Sequence, residues 1–220
     1  MTALLELNEL RFAYAGGDWI LDGASLELSS GDRLMLSGAI GSGKSTLLSL
    51  IVGLQRPASG QVTAFGQLCG TEADFERLRQ KVGLVFQEPD DMLFSPTVAD
   101  DVAFGPLNLG MTAAQIQAVV ADTLEALQIS HLRDRSCLQL SGGEKRLVSL
   151  AAVLAMRPEI LLLDEPSNGL DEREISNLAK LLAELAQPMI IVSHDARLRE
   201  LATRAARLAD GKIQSDGSAG

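Results

Sequence analysis

The stretch Arg33-Leu34-Met35-Leu36-Ser37-Gly38-Ala39-Ile40-Gly41-Ser42-Gly43-Lys44-Ser45-Thr46 decides how this chain folds. Residues 33–37 are a short apolar run of strand type, and residues 45–53 carry helical spacing. Between them, residues 38–45 fit the pattern G-x-x-x-x-G-K-[ST]. Glycines let the backbone bend until its N–H groups point inward at phosphate oxygens, and the helix start adds a favourable dipole. Lys44 brings a point charge to the outer phosphates, and the Ser45 hydroxyl can ligate Mg²⁺. Gly38, Gly41, Ser42, Gly43, Lys44, Ser45 and Thr46 are therefore the expected nucleotide-binding residues. A dinucleotide loop is excluded, because its third glycine position holds Thr46.

Residues 5–14 roughly alternate apolar and polar, residues 19–28 read as a second strand, and Ala15-Gly16-Gly17-Asp18 is the turn between them. Further strands are expected at residues 61–65, 82–86, 160–164, 189–193 and 205–209. Helices are expected at 71–80, 112–127, 141–156, 172–185 and 196–203. Residues 88–110 are rich in Pro, Asp and Phe and keep no single period. Short apolar strands alternating with helices imply an α/β fold whose mainly parallel sheet is covered on both faces, with an antiparallel opening pair. The reading gives one domain. A nucleotide-binding core with its β subdomain spans residues 1–87 and 157–214. A helical insertion spans 88–156, and 215–220 form a flexible polar tail.

Two further motifs carry chemistry. Ile160-Leu161-Leu162-Leu163-Asp164-Glu165 is a buried-strand pattern that delivers two carboxylates at its end. Asp164 is placed to hold Mg²⁺ and Glu165 to polarise an attacking water. Leu140-Ser141-Gly142-Gly143-Glu144 opens a helix with a serine and two glycines, a second phosphate-binding device. The same residues also spell a capping box, since Ser141 and Glu144 are three apart.

Composition narrows the classes. A net charge of −10, from 29 acidic against 19 basic residues, repels nucleic-acid phosphates. Cys69 and Cys137 lie in no metal-ligand spacing and read as reduced thiols. Residues 102–121 are uncharged, but Gly, Pro, Asn and Gln interrupt them, so no membrane span is expected.

In this order, residues 38–45, 140–144 and 160–165 resemble the Walker A, signature and Walker B motifs of the ATP-binding subunits of ABC transporters, P-loop NTPases with an inserted helical subdomain. The resemblance covers nearly the whole chain. It implies an ATPase that binds ATP and Mg²⁺, with Ser45, Gln87 and Asp164 near the metal and Glu165, Gln87 and His194 serving catalysis. Asp171 falls in the D-loop and His194 in the switch loop. Tyr14 is similar to the aromatic that stacks on adenine, with Phe12 and Trp19 as neighbouring alternatives. The family arrangement is a head-to-tail dimer, of identical or paralogous chains, in which Ser141, Gly142, Gly143 and Glu144 of one subunit complete the ATP site of the other. The chain is then a peripheral protein on the cytoplasmic face of the membrane, moving a transmembrane partner by ATP-driven closure.

Residues 85–98 and 100–106 are similar to ATPases of energy-coupling factor transporters, which take up cobalt, nickel or vitamins. Glu88, Asp90 and Asp91 beside Met92, Leu93 and Phe94 give an acidic rim next to an apolar patch, suited to a basic helix of the membrane subunit docking near residues 87–94. The alternatives are a conventional importer or exporter ATPase, or an ABC ATPase acting on nucleic acid or ribosomes. The last lacks support from the acidic charge, the single cassette and the absence of a heptad run.

Overall fold

The computed structural model describes residues 3–216. In chain order its elements are β1 (Ala3–Phe12), β2 (Leu21–Ser29), β3 (Arg33–Ser37), α1 (Lys44–Ile51), β4 (Ser59–Ala64), β5 (Gln67–Leu68), α2 (Glu72–Arg79), β6 (Val82–Val85), α3 (Val98–Asn108), α4 (Ala113–Ala126), α5 (Gly142–Leu154), β7 (Ile160–Asp164), α6 (Glu172–Glu184), β8 (Met189–Val192), α7 (Ala196–Arg199), β9 (Arg204–Ala209) and β10 (Lys212–Asp216). Strands β2-β1-β4-β5 form an antiparallel sheet, and β10-β9-β3-β8-β7-β6 form a second sheet. Strands β9, β3, β8, β7 and β6 of the second sheet run parallel, and only β10 is antiparallel.

The central parallel strands β7 and β8 are buried along their whole length, and apart from the terminal Asp164 they are apolar because both their faces are covered. Side chains alternate between faces with a period of two. Leu34, Leu36, Ile160, Leu162, Ile190 and Val192 pack toward the antiparallel sheet and α1. Met35, Leu161, Leu163, Met189 and Ile191 pack toward the helices of the insertion and α6. One sheet is thus the common wall of two cores. Truncating Leu162, which is fully buried, would cost about 2–5 kcal/mol.

Three expectations need correction. Residues 98–108, expected to be irregular, form α3, capped by the Thr97 side chain, which accepts from Asp100 N. Pro106 lies in its last turn, where the missing N–H weakens the period without ending the helix. The expected helix at 196–203 stops at Arg199, because the Thr203 N–H donates to Arg33 O at 2.9 Å and starts β9 beside β3. Ser215 and Asp216, assigned to a flexible tail, belong to β10, which pairs with β9 through the backbone at the edge of the sheet. Residues 217–220 lie outside the described residues.

In an open parallel sheet, ligands bind beyond the carboxyl ends of the strands. Four adjacent strands end there at one edge. Residues 38–46 follow β3, Ser193 and His194 follow β8, Asp164 and Glu165 close β7, and Phe86 and Gln87 follow β6.

Candidate functional site

The turn after β3 leaves the backbone donors of α1 free. Gly43, the N-cap of α1, has φ 97° and provides no side-chain cap, and no acidic residue stands in the first turn. Every other α-helix among the described residues has a side-chain cap. The glycines are sterically required. A Cβ at Gly38 would meet Leu208 O at 2.6 Å, and one at Gly43 would meet Ile20 Cγ2 at 2.5 Å. Lys44 Nζ donates to Gly38 O at 2.9 Å and Ala39 O at 3.0 Å, so its ammonium rests on the loop itself. Ser42 Oγ is buried with no hydrogen-bond partner among the described residues. Free amides, a cation and an orphaned hydroxyl are a donor set that fits phosphate.

Opposite the loop stand the two acids. Burial pushes the Asp164 carboxyl above its ordinary pKa, against the Ser45 hydroxyl, which donates to it, and the charges of Lys44 and Arg146. The contact between Ser45 and Asp164 brings together two hard oxygen ligands of the kind Mg²⁺ takes. Glu165 has φ 47°, left-handed for a non-glycine residue, a conformation that costs about 1–3 kcal/mol. Its N–H donates to Val192 O at 2.8 Å, and its Oε1 lies 3.4 Å from His194 Nε2. Burial raises the Glu165 pKa, while His194 and Lys44 pull it down.

A cleft of about 780 Å³ is lined by Tyr14, Gly41, Gly43, Lys44, Ser45, Thr46, Gln87, Asp164, Glu165 and His194. Ser42 faces an adjoining recess of about 400 Å³ that also holds Tyr14 and Trp19. Tyr14 is half exposed and its hydroxyl lies 3.4 Å from Thr46 Oγ1. Phe12 is buried edge-on against Tyr14, and Trp19 carries the Arg11 guanidinium 4.5 Å from its ring centroid. Of the three aromatics, Tyr14 alone borders the main cleft.

The signature residues and Asp171 lie elsewhere. Ser141 caps α5, accepting from Glu144 N at 3.2 Å, while the Glu144 carboxylate accepts from Ser141 N at 2.7 Å. Asp171 caps α6 in the same reciprocal way with Glu174. A Cβ at Gly143 would come within 3.0 Å of the Glu174 carboxylate, so these two helix starts are neighbours. Glu144 and Asp171 line a separate hollow.

Arg146 escaped the sequence reading. It is buried on α5 and donates to Phe86 O, Gln87 O and Asn168 O. The available signal was its helical spacing with Leu150 and Val153, which puts a cation on an apolar face.

A sequence profile described as ABC transporter matches residues 21–168. The chain is an ABC transporter ATPase. This ABC ATPase is 44% identical over 224 residues to the cobalt import ATP-binding protein CbiO of Rhodobacter capsulatus, covering 100% of the chain and 80% of the relative. It is 40% identical over 220 residues to the energy-coupling factor transporter ATP-binding protein EcfA of Methanothermobacter thermautotrophicus, covering 98% of the chain and 71% of the relative. The solved structure of cbiO1 from Clostridium perfringens, described as part of the ABC transporter complex cbiONQ, matches with a TM-score of 0.85 at 33% identity, covering 97% of this ABC ATPase and 88% of that chain. The protein binds and hydrolyses ATP, and its P-loop NTPase fold is that of its family.

Proposed function

We propose that this ATPase works as a dimer beneath a transmembrane subunit and energises energy-coupling factor type uptake of cobalt, nickel or a vitamin. The observation that carries the transport reading is an apolar groove of about 300 Å³, separate from the nucleotide cleft and lined by Leu54, Phe86, Met92, Phe94, Phe104 and Met156. Phe94 is 67% exposed and meets Phe104 edge-to-face at 4.8 Å. An exposed aromatic pair rimmed by charge marks a protein-binding surface. Asp90 is already paired with Lys145 at 2.6 Å, so the acidic rim is thinner than the sequence suggests and rests on Glu88 and Asp91, of which Asp91 borders the groove. The similarity to CbiO and EcfA supports the uptake branch. No helix among the described residues is long and apolar enough to cross a membrane, so the reading places the chain at the cytoplasmic face through its partner.

In the cleft, the residue 38–46 loop binds the phosphates, and Tyr14 stacks on the base. Ser45, Asp164 and Gln87 hold Mg²⁺, which supplies neutralising charge to the outer phosphates. Glu165 accepts the proton of the attacking water, and His194 orients that carboxylate. Ser141, Gly142, Gly143 and Glu144, with Asp171 beside them, serve the partner subunit's nucleotide.

The native membrane complex tests this. A tagged chain should bring down a transmembrane subunit, and proteoliposomes of that complex should take up cobalt, nickel or a vitamin with MgATP. Glu165→Gln should retain ATP and stop uptake. Recovery without a membrane subunit, or uptake untouched by that substitution, overturns the reading.

A further inference from the structure

Three backbone carbonyls from two different loops converge on one buried side chain. Arg146 is 5% exposed. Its Nη1 donates to Phe86 O at 2.9 Å, its Nη2 to Gln87 O, and its Nε to Asn168 O at 3.3 Å. Phe86 lines the apolar groove, whereas Gln87 and Asn168 line the nucleotide cleft. The carboxylates of Glu88, Asp164 and Glu165 supply the surrounding negative charge and offset the cost of burial. A planar guanidinium can serve three acceptors in fixed directions; an ammonium on a flexible stem cannot.

The neighbouring residue reinforces the grip. Lys145 holds Asp90, a few residues further along the same loop, at 2.6 Å. Both cations stand in the first turns of α5, directly after the Ser141–Glu144 cap. A tilt of α5 therefore carries the guanidinium, and with it both loops.

We infer that Arg146 is a positioning residue that ties the groove to the nucleotide cleft, so that a partner pressing on Phe86 moves Gln87 and Asn168 together. The inference rests on the transporter reading for the identity of that partner. Its action on the two loops belongs to this chain alone.

Arg146→Lys and Arg146→Met in the full-length ATPase test it through ATP affinity, kcat and hydrogen exchange. ATP affinity should stay within about threefold of wild type while kcat falls roughly tenfold or more, because a misplaced polar group costs rate more than ground-state binding. Amide exchange should quicken in residues 86–92 and 166–170 and hold elsewhere. Lysine should not rescue, since it keeps the charge and loses the fork. A merely structural role predicts lower thermal stability and faster exchange throughout α5 and β6, with turnover per folded molecule unchanged; that result overturns the inference. If the Met variant does not fold, the Lys variant decides, and a kcat within about twofold of wild type is the overturning value. Uptake by the wild-type complex is a separate control. Its failure strikes the transporter reading and leaves the Arg146 comparison intact.

Discussion

Helices α1 and α5 both begin at glycine-rich turns, but they treat their free amides in opposite ways. The first turn of α1 has a glycine N-cap, no capping side chain and no acid. The first turn of α5 closes on itself, with Ser141 and Glu144 each accepting the other's N–H. The first four N–H groups of any helix need partners from outside it. Helix α1 leaves its own without a side-chain partner, as the proposed phosphate cradle requires. In helix α5 the capping box already occupies the Ser141 hydroxyl and the Glu144 N–H, so that serine serves a nucleotide only when something better than Glu144 arrives. The same sequence device stands open in one place and is closed by a capping-box latch in the other.

The largest effect that could break this contrast is on affinity. Lys44→Ala should weaken ATP binding to the isolated chain by about 10- to 100-fold, the value of a charge-assisted hydrogen bond or two. Ser141→Ala should leave that affinity unchanged and lower turnover only where dimers form. Calorimetry on both variants decides; equal weakening would make the two helix starts one kind of site.

A smaller effect concerns pH. Burial raises the pKa of Glu165, so its stabilising contribution is present below the unfolded pKa and is lost as pH rises through the folded one. Activity needs the ionised form. The acid limb of the kcat/KM profile should therefore lie above the ordinary glutamate value of about 4.3. His194→Gln removes a group that lowers this pKa, so the limb should move further up. A limb at the ordinary value, or one unmoved by His194→Gln, detaches Glu165 from the role proposed for it.

The smallest effect isolates the latch. The Ser141 backbone N–H holds the Glu144 pKa down, so its contribution is present above the unfolded pKa and is lost as pH falls through the folded one. Acidification should fray the start of α5 by about 0.5–1 kcal/mol, visible in amide shifts of residues 141–145. Helix α1 has no first-turn acid to protonate and should not respond. Parallel behaviour of the two helices would erase the difference.

Much of the cleft was legible because its strands are short, apolar and bounded by glycine or acid. Strands β3 and β7 and the residues they deliver could be read directly. Helix α3 was hidden by Gly105 and Pro106, which signal a break where tertiary packing of Val98 and Val102 keeps the helix. Strand β10 was hidden because an edge strand is held by backbone pairing, which leaves no apolar pattern. Arg146 was hidden by convention: a cation inside an amphipathic helix is assigned to solvent, and only the fold brings three carbonyls to meet it. The capping box and the signature motif were both visible at Ser141 and Glu144, and the geometry of one chain contains the first.

The left-handed backbone at Glu165 has an evolutionary consequence. At φ 47° a side chain is a burden, and glycine would relieve about 1 kcal/mol of it. Replacing the proposed base with glycine would therefore yield a firmer protein that turns over less. A change to glycine at this position therefore runs downhill in backbone strain and away from activity. If the reaction is what holds a glutamate there, copies released from that selection should accept glycine while keeping the fold.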